Sequence, residues 1–129
     1  MKYYRHWREV AAADWRWRYF SPQEIASKGD GSLLVVPTAL DALEQARVAM
    51  DRDFIIHSAY RDPIHNAMVG GAPLSKHKEG HAFDIGLLNH DKWDLLAACR
   101  KAGFRGFGFY RTFLHVDMGS VRHWGKWEK

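Results

Sequence analysis

The hydrophobic and polar positions of the chain follow the period of helices in some segments and the period of strands in others. Ala39, Leu43 and Ala46 repeat at helical spacing with Met50, which predicts a helix that begins at a capping Thr38. Capping residues and terminating glycines mark the remaining helical segments. The predicted helices are a short turn after Ser21, Thr38 to about Met50, a turn after Asp62, and about His90 to Ala102 after a capping Asn89.

Short apolar runs between these helices predict strands. The segments with strand character are 33–36, 54–58, 81–85, 106–110 and 113–117. Only Arg111 and Thr112 separate the last two, a connection too short for a parallel crossover, so an antiparallel hairpin is expected. We predict an α+β fold in which a small antiparallel sheet carries Asp84 and His115 and the helices pack on one side of it.

Length and composition narrow the class of protein. A chain of 129 residues is predicted to form a single domain, 1–129, that begins with an aromatic and basic arm, 1–20. The net charge of +4 favours a polyanionic partner such as nucleic acid, an anionic cell wall or a membrane surface. One cysteine, Cys99, excludes an intramolecular disulfide and a cysteine-based metal knuckle. Neither a membrane span nor a signal peptide is predicted, because no apolar run is long enough and the N-terminus has no apolar region.

The arm has two possible functions. Trp7, Trp15 and Trp17 alternate with arginines, as a strip that stacks bases and binds phosphates would. The same pattern suits an arm that packs its tryptophans over the domain and keeps its arginine heads in water. We favour packing, because single-strand binders usually repeat such strips across a sheet. The basic aromatic tail, 122–127, is expected to pack beside this arm.

The stretch from Ser75 to Asp84 carries the candidate chemistry. It places His77 and Asp84 seven positions apart with Gly80 between them, so that the backbone can fold back and both side chains can reach one ion. Imidazole nitrogen and carboxylate oxygen both bind zinc, and His115 is the best candidate for a third ligand. Two histidines and a carboxylate, with a fourth position open to water, are typical of a hydrolytic zinc site. The alternative is a surface histidine and a capping aspartate, and the spacing alone does not distinguish the two.

Two further residues belong to the candidate site. His115 and Asp117 share a strand face, so Asp117 is placed to orient a ligand or to act as an acid or base. Arg61 follows a predicted strand and begins a loop, where its guanidinium could clamp a carboxylate. Arg61 could equally form a surface salt bridge with Asp62 or Glu79.

These residues together resemble the zinc D-alanyl-D-alanine carboxypeptidase and endolysin peptidase family, to which hedgehog-type and lysostaphin-type peptidases are distantly related. The resemblance extends over roughly Phe20 to Trp124, and the ordered set of motifs is far more specific than any single one. The motifs are Phe20–Glu24, Ser58–Arg61, Asn66, Val69–Ala72, Ser75-x-His77-x-x-Gly80-x-Ala82-x-Asp84, Gly108–Tyr110 and His115-Val116-Asp117.

The resemblance implies a set of roles for these residues. His77, Asp84 and His115 are implied to be the ligands of a Zn²⁺ cofactor. Arg61 is implied to face the substrate near the scissile amide or its carboxylate and to stabilise the oxyanion. Ser75 is implied to support the ligands at the substrate site.

The general base is where the chain departs from the family pattern. Several branches of the family carry an acidic base three positions before the last ligand histidine, where this chain has Thr112. Other branches carry a histidine two positions before it, where this chain has Phe113. We predict Asp117 as the base, with His57 and Glu79 as the next candidates. Without a base, the chain would be a zinc-binding relative that lacks peptidase activity.

The implied substrates are peptidoglycan stem peptides, cleaved by a carboxypeptidase or an endopeptidase of the endolysin type. The expectation is a monomer made in the cytoplasm that acts on the cell wall, as a phage lytic or virion-associated protein does. The competing class is a non-enzymatic module that binds nucleic acid through the aromatic and basic segments; nucleic acid is the less favoured partner.

Overall fold

The computed structural model describes residues 1–128 and confirms the α+β class. These residues form seven strands and four α-helices, with three short 3₁₀ turns. The strands are β1 Lys2–Tyr4, β2 Leu33–Val35, β3 Ile56–Ser58, β4 Ala82–Gly86, β5 Gly106–Phe109, β6 Phe113–Asp117 and β7 Arg122–Gly125. The helices are α1 Pro22–Ile25, α2 Pro37–Met50, α3 Pro63–Met68 and α4 Lys92–Ala102, and the 3₁₀ turns are Trp7–Glu9, Ala12–Asp14 and Lys76–Glu79.

The main sheet has five strands in the order β3-β4-β6-β5-β7, and β1 pairs with β2 in a separate two-stranded sheet. The predicted hairpin is confirmed, since β5 and β6 pair antiparallel. The prediction of a purely antiparallel sheet is wrong, because β7 pairs parallel with β5. The predicted buried strand 54–58 is shorter and lies at the sheet edge, where Ile55 and His57 are exposed.

The side chains of the central strands β4 and β6 alternate between the hydrophobic core and the opposite face of the sheet. In β4, Phe83 and Ile85 are fully buried in the hydrophobic core, and in β6 Leu114 and Val116 join them. The core also contains the inner faces of α2 and α4, which contact each other. Because strand side chains alternate, Asp84 of β4 points away from this core, and so do His115 and Asp117 of β6.

Two helix starts differ from the sequence prediction. Helix α2 begins at Pro37, with Val36 rather than Thr38 at the capping position, because proline suits the first helical position. Helix α4 is capped by Asp91, whose carboxylate accepts from two backbone amides, whereas Asn89 donates to the Asp53 carbonyl. The buried residues of α4 are Leu95, Leu96 and Cys99, whereas Trp93 and Ala97 are exposed.

The arm packs on α2, as the favoured interpretation predicts. Trp17 is buried and its indole N–H donates to Asp41, to which Arg16 is also bonded. The backbone amides of Arg18 and Tyr19 donate to Glu44. The Arg16 guanidinium, the Trp17 indole and two backbone amides of the arm are thus bonded to α2.

The tail was predicted to pack beside the arm, and its described contacts are instead with the main sheet and α4. It forms β7 at the edge of the main sheet, and Trp127 then packs on Trp93 and Phe109. Among residues 1–128, no helix combines the length and apolar character needed to cross a membrane.

Candidate metal centre

His77, Asp84 and His115 meet at the centre of the main sheet. Asp84 in β4 pairs directly with His115 in β6, and His77 lies in the 3₁₀ turn that precedes β4. All three are buried, and one ligand atom from each lies within 4.8 Å of the others. The structure thus brings together the three residues that the spacing selected.

The backbone before β4 turns sharply to deliver His77. Ser75 caps the 3₁₀ turn, since its hydroxyl accepts from the His77 backbone amide. Gly80 ends the turn with φ of 76°, a left-handed conformation that other residues adopt at a cost. The chain then enters β4, which places His77 Nε2 3.1 Å from Asp84 Oδ1.

In each of the two histidines, the ring nitrogen that faces away from Asp84 lies within hydrogen-bond distance of an oxygen acceptor. His77 Nδ1 lies 2.7 Å from the Ala59 carbonyl oxygen, and His115 Nε2 lies 2.7 Å from Asp117 Oδ2. A carbonyl and an ionised carboxylate only accept, so these nitrogens carry the proton of each neutral ring. The lone pairs of His77 Nε2 and His115 Nδ1 then face Asp84 Oδ1, at 3.1 and 3.0 Å. Three lone-pair atoms this close together repel one another unless a cation lies between them or the rings carry extra protons. The arrangement therefore fits a metal ion.

The carboxylates on both sides of His115 are ionised. Burial raises the pKa of Asp84, but where the rings of His115 and His77 carry the extra protons and donate to this carboxylate, their hydrogen bonds outweigh burial and lower that pKa to about 2. Burial also opposes the charge of Asp117, where hydrogen bonds from His115 and Arg122 bring the pKa below its ordinary value. Burial lowers the pKa of His115, and its hydrogen bonds to the two carboxylates raise it by more. At neutral pH both carboxylates therefore carry the negative charge that a bound cation needs.

Asp117 lies behind His115, on the opposite side of the ring from Asp84. Its carboxylate is fully buried and accepts from His115 Nε2, from both terminal nitrogens of Arg122 at 2.8 and 2.9 Å, and from the Gly119 amide. With both oxygens occupied and no exposure, this carboxylate is poorly placed to take a proton from water. The geometry supports the orienting role of Asp117 and does not support its predicted role as base.

Two glycines of β5 leave room for side chains of β7. In the register of the sheet, Gly106 lies beside Arg122 and Gly108 beside Trp124. A Cβ on Gly106 would collide with Asp117 and Arg122, and one on Gly108 would lie 2.7 Å from the Trp124 ring. The roles of Arg122 and Trp124 were not predicted from the sequence. A sequence signal for these roles is the matching spacing of Gly106 and Gly108 in one strand with Arg122 and Trp124 in another. Each position without a side chain can then accommodate a large one.

Arg61 lies at the edge of the candidate metal centre. Its guanidinium donates to the Ser58 hydroxyl at 3.1 Å and to Asn66 Oδ1 at 3.3 Å, and Nη2 is 3.5 Å from Asp84 Oδ2. Neither predicted surface salt bridge forms, since Asp62 binds Ser27 and caps α3, and Glu79 pairs with Lys76. Arg61 thus faces the carboxylate that the resemblance placed at the metal.

A cleft of about 540 Å³ opens above these residues. Its lining includes Arg61, Ser75 and Lys76, and also aromatic side chains beyond His115. Within residues 1–128, Asp84 is the only acidic residue that lines it. His57 and Glu79, the other candidate bases, do not line the cleft: His57 packs on Phe113, and Glu79 is bonded to Lys76.

Comparison with known proteins identifies the family. The zinc D-Ala-D-Ala carboxypeptidase of Streptomyces albus G is 33% identical over 88 residues, which are 64% of this chain and 34% of the relative. The chain thus spans about a third of the length of that relative. The family model described as peptidase M15 matches residues 12–117, which contain all the candidate ligands. The suspected family is confirmed, and the chain belongs to the peptidase M15 family.

Proposed function

We propose that this protein is a zinc-dependent peptidase that cleaves the stem peptides of peptidoglycan. The observation that carries the proposal is the convergence of His77 Nε2, Asp84 Oδ1 and His115 Nδ1, with both opposite ring nitrogens held by acceptors. The similarity to a zinc D-Ala-D-Ala carboxypeptidase supports the choice of both metal and substrate. Two histidines and one carboxylate match the ligand set of catalytic zinc, which leaves a position open.

When bound, zinc supplies a Lewis acid that activates water and polarises the peptide carbonyl. The chain's own residues orient the ligands and the substrate. The Ala59 carbonyl fixes the ring of His77, and Asp117, clamped by Arg122, fixes the ring of His115. Such partners hold the tautomer and raise the basicity of a ligand.

Arg61 and Ser75 are the proposed substrate-binding residues. Arg61 is held by Ser58 and Asn66, and its guanidinium faces the cleft beside Asp84. A fixed cation in this position stabilises negative charge that develops on the amide oxygen, or binds a substrate carboxylate. Ser75 lines the same cleft and holds the turn that carries His77.

A second candidate function is a zinc-binding module of the same family without peptidase activity. It is favoured by the lining of the cleft, where Asp84 is the only acidic residue within the described part of the chain. The side chains at the two positions where relatives carry a base, Thr112 and Phe113, cannot take a proton at neutral pH.

We further propose that 1–129 is one peptidase-like domain with 1–20 as its arm, and that it acts on the cell wall as a monomer. The basic character of the chain, with a net charge of +4, suits an anionic polymer as partner. A phage lytic protein or a virion component would meet that polymer directly. Nucleic acid is the less favoured partner, because Trp17 and Arg16 of the arm are bonded to Asp41 of α2.

Digestion of purified peptidoglycan tests the proposal. Zinc-loaded protein is incubated with cell wall, and the released fragments are identified by mass spectrometry. We expect loss of a terminal D-alanine for a carboxypeptidase, or cut stem peptides for an endopeptidase. Binding to the cell wall without any new fragment would contradict peptidase activity and favour the second candidate.

Replacing Arg61 with lysine tests the substrate-binding role. Lysine keeps the charge but loses the planar fork, so we expect kcat/KM to fall about 100-fold with zinc content unchanged. The matched control is Arg111→Ala, because Arg111 is an exposed residue of the β5–β6 turn that does not line the cleft. An Arg61→Lys enzyme within about threefold of the wild type would rule out this role.

A further inference from the structure

Three aromatic side chains form one flank of the cleft, and we call them the aromatic wall: Tyr110, Phe113 and Trp124. The ring of Trp124 lies 5.0 Å from the ring of the candidate ligand His115, centroid to centroid. Tyr110 stacks on Phe113 with centroids 4.4 Å apart and planes only 12° from parallel. The aromatic wall thus contacts the candidate ligand His115 through Trp124, and its other two rings stack on each other.

Strand β5 is built to let Trp124 reach across it. Trp124 lies in β7, and β5 separates it from His115 in β6. Gly108 occupies the intervening position, and any Cβ there would lie 2.7 Å from the indole ring. The absence of a side chain at Gly108 therefore allows the contact between Trp124 and His115.

The indole of Trp124 fixes the hydroxyl of Tyr110. Trp124 Nε1 donates to the Tyr110 oxygen at 2.8 Å. Since an indole N–H only donates, the phenol is the acceptor in this bond and its own O–H remains available to donate. Within residues 1–128 the hydroxyl has no other hydrogen-bond partner. A donor held in place at the wall of a cleft is available to a ligand.

The aromatic wall and Arg61 lie on opposite flanks of the candidate metal centre. Arg61 follows β3, Tyr110 follows β5, and the strands that carry the candidate ligands lie between them. Neighbouring strands are about 4.8 Å apart, and an extended peptide advances about 3.3 Å per residue. A peptide bound across the sheet over Asp84 would therefore reach the wall within about three residues.

We propose that the Tyr110 hydroxyl donates a hydrogen bond to a carbonyl or carboxylate oxygen of the bound peptide, and that Trp124 is the positioning residue that aims it. This proposal rests on the proposed function, in which the cleft binds a peptide. Tyr110 acts on the part of the peptide that extends past the ligand strands, and so contributes to the choice of substrate.

The test compares Tyr110→Phe, Trp124→Phe and the double variant on a synthetic pentapeptide that ends in D-Ala-D-Ala. Tyr110→Phe keeps the stack on Phe113 and loses only the hydroxyl, so we expect kcat/KM to fall about 10-fold. Trp124→Phe keeps a ring beside His115 and loses the indole donor, so a fall of about threefold is expected. The double variant should be no worse than Tyr110→Phe, because Trp124 acts through the hydroxyl.

Zinc content and indole N–H resonances provide readouts that do not depend on turnover. All variants should retain zinc. Adding the pentapeptide should shift the Trp124 indole resonance in the wild type, and the shift should be smaller in Tyr110→Phe. Tyr19→Phe is the matched control, because Tyr19 is exposed to the same degree, 41% against 40%, and packs on Arg47 away from the cleft. It should behave as the wild type does.

The outcomes separate this proposal from the proposed function. A wild type that neither cleaves nor binds the pentapeptide overturns the proposed function, and this proposal with it. A wild type that cleaves or binds, with Tyr110→Phe unchanged, overturns this proposal alone. Losses that add in the double variant would also overturn it, because Trp124 would then act independently of the hydroxyl.

Discussion

His77→Ala is expected to weaken zinc binding by more than about 100-fold and to remove essentially all peptidase activity. Loss of a residue that merely orients a ligand costs about 10- to 100-fold in metal affinity, and loss of the ligand itself should cost more. The remaining pair, Asp84 and His115, cannot complete the ligand set of a catalytic zinc ion. Zinc per chain, measured by mass spectrometry of the metal after dialysis, gives the direct result.

His123→Ala is the control for this experiment. His123 lies in β7 and is exposed, and its ring packs on Phe109. The control should keep zinc and activity. A chelator should lower the melting temperature of the wild type and of His123→Ala, because a metal that binds only the folded state stabilises it. In His77→Ala the chelator should have little effect, and full zinc retention by that variant would disprove the ligand assignment.

Asp117→Asn is expected to weaken zinc affinity about 10- to 100-fold and to lose activity that added zinc restores. Asparagine removes the negative charge that holds His115 Nε2–H, and it leaves the guanidinium of Arg122 without its ionic partner. The His115 ring is then free to take the other tautomer, which turns a protonated nitrogen toward Asp84. Activity measured across a zinc titration follows this effect.

The same titration decides between the two roles predicted for Asp117. A general base would be revealed by unchanged zinc affinity and a turnover lower by about two to four orders of magnitude at every zinc concentration. The buried position of the carboxylate behind His115 argues for the orienting role. Asp94→Asn is the control, because Asp94 is an exposed aspartate of α4 that does not line the cleft. It should leave the zinc titration unchanged.

Local sequence was sufficient for the features that depend on neighbouring residues. The helical turns after Ser21 and Asp62 and the hairpin around Arg111 and Thr112 all form as predicted. Each depends on hydrogen bonds between residues a few positions apart, so a short window of sequence contains the necessary information. The spacing of His77 and Asp84 belongs to this class, since one tight turn and one strand connect them.

The starts of α2 and α4 were predicted less well, because more than one residue near each start can act as the helix cap. Thr38 and Asn89 are good capping residues, yet Val36 and Asp91 occupy the capping positions. In α2, proline at the first helical position moves the helix start to Pro37. In α4, Asp91 lies two residues after Asn89 and accepts from the first backbone amides of the helix instead.

By itself, the sequence determined the α+β class, the family and the residues selected as metal ligands, because these depend on residue type, order and short spacing. The tertiary structure alone decided the parallel strand β7 and, through it, the clamp of Arg122 on Asp117 and the contact of Trp124 with His115. It also decided that Arg61 faces Asp84 rather than a surface carboxylate. The physical reason is that these contacts join strands whose pairing depends on the packing of the whole sheet, and no local period or motif encodes which edge a terminal strand will join.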